Sequence, residues 1–112
     1  MNVSYEEIGQ ILITCPATNA VQPGQVVKMN ANGVVEPCAA GDKICGLALS
    51  VASDGYAAVQ VRGFASLPCT DSSVTPGWVT LAADGNGGVA AGAEGASLLV
   101  VKTDGQTAVA CL

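Results

Sequence analysis

Residues 21–27, VQPGQVV, and residues 74–80, VTPGWVT, are one phrase written twice. Both have the form Val-x-Pro-Gly-x-Val. Proline presets the first turn dihedral and glycine accepts the positive φ that follows, so each phrase is a turn feeding a Val-rich strand. What comes next is also alike. After the first copy come KMNANGVVEP, a Gly-containing connection, the apolar run ICGLALSV and then SDGYAAVQV. After the second come LAADGNGGVAA, a similar connection, ASLLVVK and TDGQTAVACL. Each copy reads as Pro-Gly turn, strand, turn, strand, loop, strand, Asp-Gly turn, strand.

The turn residues carry this reading. Asn32-Gly33 and Asp54-Gly55 are dipeptides whose tolerance of positive φ favours hairpins. Gly63, inside AAVQVRGFASL, marks a bend or bulge in place of a clean strand end. No window holds an apolar period of 3.6 residues without a glycine or proline breaking it. The expected fold class is all-β: a small β-barrel or sandwich built from two similar four-strand halves, with an N-terminal arm. The repeat occupies residues 21–63 and 74–112 of a single β-domain spanning 21–112. Either half alone would leave an apolar face in water, so the halves are expected to pack around a pseudo-symmetric core.

Residues 1–20 stand outside that repeat. Ser4 and Glu7 form a Ser-x-x-Glu capping box that could open a short helix through YEEIGQIL. Gly9 interrupts it, and QILITC is β-branched and ends at Pro16. The expectation is an arm leading into a strand near residues 10 to 15.

Composition narrows the function classes. A chain of 112 residues fits one domain, burying roughly two-thirds of the surface its unfolded form exposes. Half of it is apolar, yet only Tyr5, Tyr56, Phe64 and Trp78 are aromatic. Much of the apolar share is alanine, which gives a thin core that gains from association. The net charge is −5, and Lys28, Lys43, Arg62 and Lys102 are scattered singly. Phosphate-backbone binding needs clustered cations, so no nucleic-acid partner is expected. No run is long enough to span a bilayer, and no polybasic or amphipathic segment suits a membrane surface. Glu6 and Glu7 stand where a signal peptide carries positive charge, so the N-terminus reads as mature protein and Asn2-Val3-Ser4 as a chance glycosylation match. The five cysteines, Cys15, Cys38, Cys45, Cys69 and Cys111, are odd in number and lack a Cys-x-x-Cys pair. They are expected to be free thiols acting as small hydrophobes in a reducing compartment.

No catalytic constellation emerges, and no catalytic, cofactor-binding or metal-ligating residue is assigned. Histidine is absent, which removes the usual group poised near neutral pH. Asp54, Asp84 and Asp104 each precede glycine, a placement that turn geometry already explains. Asp84-x-Asn86 resembles the start of a calcium loop but lacks the downstream bidentate glutamate. TDSSVTPG offers hydroxyls without a base, and no helix follows any glycine loop to cradle a phosphate. Trp78, at the place Gln25 holds in the first copy, is expected in a core or a subunit contact.

Taken whole, the pattern of residues 21–68 resembles the small capsid decoration, or cement, proteins of tailed bacteriophages and prophages. The likeness runs from the Pro-Gly turn, Val-rich strand and hairpin to Ala40-Gly41-Asp42 followed by Gly46-Leu47-Ala48. It continues through Gly55, Val59, Val61 and Gly63. A looser likeness to the lambda-type head decoration proteins extends over roughly residues 20–110 through alanine- and glycine-rich composition and an N-terminal arm. The resemblance implies a non-enzymatic protein that binds the exterior of an assembled capsid and stabilises it. Its implied partner is the major capsid protein, its implied state a homotrimer, and its location the virion exterior after synthesis in the host bacterial cytoplasm. It also implies that the arm adds a strand to the capsid lattice. The alternatives are a secreted or surface β-domain binding a glycan or protein, and a small lyase or hydrolase using carboxylates.

Overall fold

The computed structural model describes residues 10–30 and 32–112. The Ser4–Glu7 capping box and the arm up to residue 9 lie outside the described residues. Among those described, the regular structure consists of strands: β1 Ile11–Pro16, β2 Val26–Met29, β3 Val35–Pro37, β4 Gly46–Val51, β5 Tyr56–Arg62, β6 Phe64–Pro68, β7 Gly77–Ala83, β8 Val89–Ala91, β9 Ala96–Thr103 and β10 Thr107–Cys111. They form two five-stranded antiparallel sheets, ordered β1-β5-β4-β2-β3 and β6-β10-β9-β7-β8. Adding five to each number of the first order gives the second, so the duplication read from the Pro-Gly phrases is a duplication of topology. The four strands expected of each half are present, as β2–β5 and β7–β10. Each half also takes a fifth: β1 pairs with β5 from Ile11 to Pro16, and β6 pairs with β10 in the same sense.

The turns are built as their residues dictate. Gly24 and Gly77, closing the two Pro-Gly phrases, have φ of 85° and 120°. Side-chain oxygens cap the hairpins: Asp54 Oδ1 accepts the Tyr56 N–H at 3.1 Å, and Asp104 Oδ1 accepts those of Gln106 and Thr107 at 2.9 and 2.7 Å. Gly63, at φ 95°, is the single residue between β5 and β6. A Cβ there would meet the left-handed penalty of roughly 1 to 2 kcal/mol, so glycine is what lets the chain leave one sheet and enter the other at once.

Two apolar clusters hold the sheets. One gathers Cys15, Val21, Val27, Val35, Ala48, Ala57 and Val59 on the first sheet. That sheet curls until its edge strands meet at a parallel bridge between Ala17 and Val35, where the Thr18 N–H donates to the Val35 carbonyl at 3.0 Å. One bridge is not a ladder, and the sheet stops short of a closed barrel. The other cluster centres on Leu67, Leu81, Val89, Val100, Ala108 and Ala110 of the second sheet, and Val26 and Leu47 of the first sheet join it. Neighbours along a strand point to opposite faces. Val27 and Ala48 therefore serve their own sheet while Val26 and Leu47 pack against the other. The two sheets thus pack together as a small β sandwich, with leucine and valine the largest fully buried side chains.

Polar contacts seal the same junction. Val26 N–H donates to the Gly87 carbonyl at 2.9 Å, and Gly41 N–H donates to the Ala83 carbonyl, whose own N–H donates to Asp42, both at 2.9 Å. Gln60, a buried polar side chain 2% exposed, donates its Nε2 to the carbonyls of Arg62 and Phe64 at 3.1 and 2.8 Å. It spans the Gly63 bend like a clasp.

Candidate interaction surface

The carboxylates come first because any hydrolytic chemistry would need them. Asp71 Oδ1 accepts the Ser73 N–H at 2.9 Å and the Ser73 hydroxyl at 2.7 Å, and its Oδ2 accepts the Ala91 N–H at 3.1 Å. Those donors, the hydroxyl first, hold the Asp71 carboxyl below the usual carboxylate range. A base so stabilised is a poor acceptor for a serine proton, so this pair is a turn lock beside a small pocket of about 190 Å³. Asp104 is lowered in the same way by the N–H groups of Gln106 and Thr107. Asp84 Oδ1 accepts the N–H groups of Asn86 and Gly88 at 2.7 and 3.1 Å, the geometry of a turn cap. Among the described residues, no three His, Cys, Asp or Glu side chains gather as a metal site requires.

Asp42 differs in having a cation. Lys28 Nζ lies 2.6 Å from its Oδ2, which also accepts the Ala39 N–H at 2.9 Å. The lysine's hydrogen bond lowers the Asp42 carboxyl, and the aspartate raises the ammonium in return. Both side chains are about one-third exposed, where a pair contributes roughly 0 to 1 kcal/mol. The pair fixes the β3–β4 loop against Ala83.

All five cysteines are free thiols. Burial pushes the Cys38 thiol up to about 11, with the Asp42 charge adding and Lys28 opposing. Burial also raises Cys15, and raises Cys45 with help from the neighbouring Cys15. Such thiols stay protonated at neutral pH and are weak nucleophiles. They act as packing groups.

Among the described residues the exposed large hydrophobic side chains are Ile11, Leu12, Met29, Leu49, Tyr56 and Trp78. A groove of about 400 Å³ runs along the junction of the halves, lined by Leu47, Leu49, Gln60, Phe64, Ser66 and Val109. Leu49 sits at a register shift in β4 between Ala48 and Ser50, which leaves it 43% exposed at the groove's edge. Beyond the groove lies the outer face of the second sheet. There Trp78 stands opposite Leu99, Leu99 opposite Cys111, and Cys111 opposite Phe64. Trp78 is 73% exposed, the most exposed large hydrophobic side chain described. It therefore lies outside the core, one of the two places expected of it.

The sequence singled out Trp78 but missed Gln60 and Leu49. Period-two alternation in AAVQVR puts Gln60 on the polar side of β5, and nothing there marks its burial beside the Gly63 bend. No local signal marks the shift that exposes Leu49. Among the described residues no helix is long and apolar enough to cross a membrane. Compared with protein-family models and with curated proteins, the chain matches none.

Proposed function

We propose that this chain is a structural capsid decoration protein of a tailed bacteriophage. It attaches as a homotrimer to the exterior of the assembled head, against the major capsid protein, and resides on the virion after synthesis in the host cytoplasm. It is not an enzyme on this reading. The observation that carries it is a twice-repeated β scaffold whose Asp54, Asp71, Asp84 and Asp104 are used as turn caps while Trp78, Leu49 and the groove face outward. Surface of that kind suits a protein partner. Docking to the assembled shell alone would stabilise the shell by mass action.

The test mixes purified protein with undecorated cognate capsids, sediments them, and measures the temperature at which DNA is released. Co-sedimentation to saturation with a raised release temperature is the expected result. Failure to co-sediment, or an unchanged release temperature at saturation, rejects the reading.

A further inference from the structure

The same turn is built twice in this chain, and both times it carries the same chemically fragile dipeptide. Between β2 and β3 it holds Asn32-Gly33, and between β7 and β8 it holds Asn86-Gly87. Met29 faces Val35 across the first turn as Ala83 faces Val89 across the second. The Asn30 N–H donates to the Val34 carbonyl at 2.9 Å, and the Asp84 N–H donates to the Gly88 carbonyl at 3.0 Å. Asn30 Oδ1 accepts the Asn32 N–H at 3.1 Å, and Asp84 Oδ1 accepts the Asn86 N–H at 2.7 Å.

Asparagine before glycine reacts with its own backbone, because no Cβ on the following residue shields that residue's nitrogen. The glycine nitrogen bonds to the asparagine Cγ, the Cγ–Nδ2 bond breaks, and the side-chain nitrogen leaves as ammonia with the proton the glycine nitrogen gave up. Water then opens the cyclic imide. Attack at Cγ leaves aspartate in an unaltered backbone. Attack at the main-chain carbonyl leaves isoaspartate, whose backbone runs through Cγ and is one methylene longer. In either case the water's hydroxyl completes a carboxyl group and its proton returns to the glycine nitrogen. Closing the ring turns the Asn-Gly peptide out of its turn geometry, so whatever holds the glycine in place opposes the reaction.

The surroundings of the two glycines differ. Asn32 and Gly33 are exposed, and a Cβ added to Gly33 would meet nothing described within 4 Å. Gly87 is half-buried where the halves meet. Its carbonyl accepts the Val26 N–H at 2.9 Å, and Gln25 lies so close that an added Cβ would stand 3.0 Å from the Gln25 Cγ. Gly88 is buried and donates its N–H to Asp84 Oδ1 at 3.1 Å. The Val26 and Gln25 restraints come from the other half and last only while the halves are docked.

We infer that Asn32-Gly33 is a site of spontaneous deamidation and isoaspartate formation, and that docking of the halves protects its equivalent, Asn86-Gly87. Conversion at position 32 adds a negative charge at a hairpin tip and leaves the strands as they are. Isoaspartate at position 86 would lengthen the backbone beside the carbonyl that receives Val26, so the protected site is also the one whose conversion would loosen the seam. The inference concerns the chain's own chemistry and holds whatever the chain binds.

The experiment ages full-length protein in mildly alkaline buffer and follows both sites by peptide mass spectrometry, with isoaspartyl methyltransferase labelling to score the longer backbone. Cleavage after lysine and arginine places Asn32 and Asn86 on separate peptides. Position 32 should convert roughly tenfold or more faster than position 86, whose restraints must first open locally. In concentrated urea the two rates should become comparable, since both sites are Asn-Gly. Asn32→Ala should remove most of the acidic drift seen on native isoelectric focusing, and Asn86→Ala should leave that drift unchanged. Equal rates in the folded protein overturn the inference, as does a faster position 86 or a position 32 that stays intact. A position 86 that remains slow in urea overturns it too, because neighbouring sequence alone would then account for the protection. So does an Asn32→Ala chain that drifts as wild type does.

Discussion

At the scale of single residues, the fold depends most on a side chain that the alternation pattern assigns to water. Gln60 is polar on a half-polar strand, yet it is buried and satisfies two carbonyls on either side of Gly63. Gln60→Ala should therefore cost about 1 to 3 kcal/mol, the range for stranding buried polar partners, read as a lower urea midpoint with an unchanged slope. A change under a few tenths of a kcal/mol would show that water replaces the clasp. The capping aspartates were legible because Asp-Gly is a local signal with a local cause. Gln60 was not, because nothing in the alternation of its strand marks the Gly63 bend whose flanking carbonyls it satisfies.

At the scale of elements, β1 is the case that tests the sequence reading. The strand expected near residues 10 to 15 is found at Ile11–Pro16, but its role as the counterpart of β6 could not be read from QILITC. The repeat phrase begins at Val21, and outside it Ile-Leu-Ile-Thr-Cys-Pro and Phe-Ala-Ser-Leu-Pro share little beyond their closing proline. Their equivalence is one of pairing partner, a non-local property. Removing residues 1–16 should then damage the first sheet, since Cys15 belongs to its cluster and β5 loses a full ladder. Differential scanning calorimetry of that truncation against the full chain checks this, and equal melting temperatures would mean that β1 is dispensable.

At the scale of the whole molecule, stability should be bounded at both ends of the pH range. Asp42, Asp71 and Asp104 are lowered in the fold. Their contribution is complete above the ordinary carboxylate range and disappears as pH falls through their folded values. The Cys38 thiol is raised from 9.0 to about 11 and the Lys28 ammonium is raised as well. Their contributions are complete below the unfolded values and disappear as pH rises through the folded ones. Melting temperature against pH should show a plateau, with a fall above pH 9 that Cys38→Ser reduces. A Cys38→Ser curve that parallels wild type in that window would rule the thiol out. The all-β class and the paired halves were readable from turn chemistry alone. Which faces stay open was not, because it depends on how one half sits on the other.

The Gly63 bend carries one more consequence. A single residue joins the two sheets, and the Leu112 N–H donates to its carbonyl at 2.9 Å, so the chain's end is tied to its midpoint. Each half is held beside its sister at a very high effective concentration, and exchange of halves between chains cannot compete. Replacing Gly63 with a residue that resists its positive φ would open that corner and turn the molecule toward domain swapping, the hazard of strained short hinges. The glycine that makes the corner therefore also keeps each chain folded on itself.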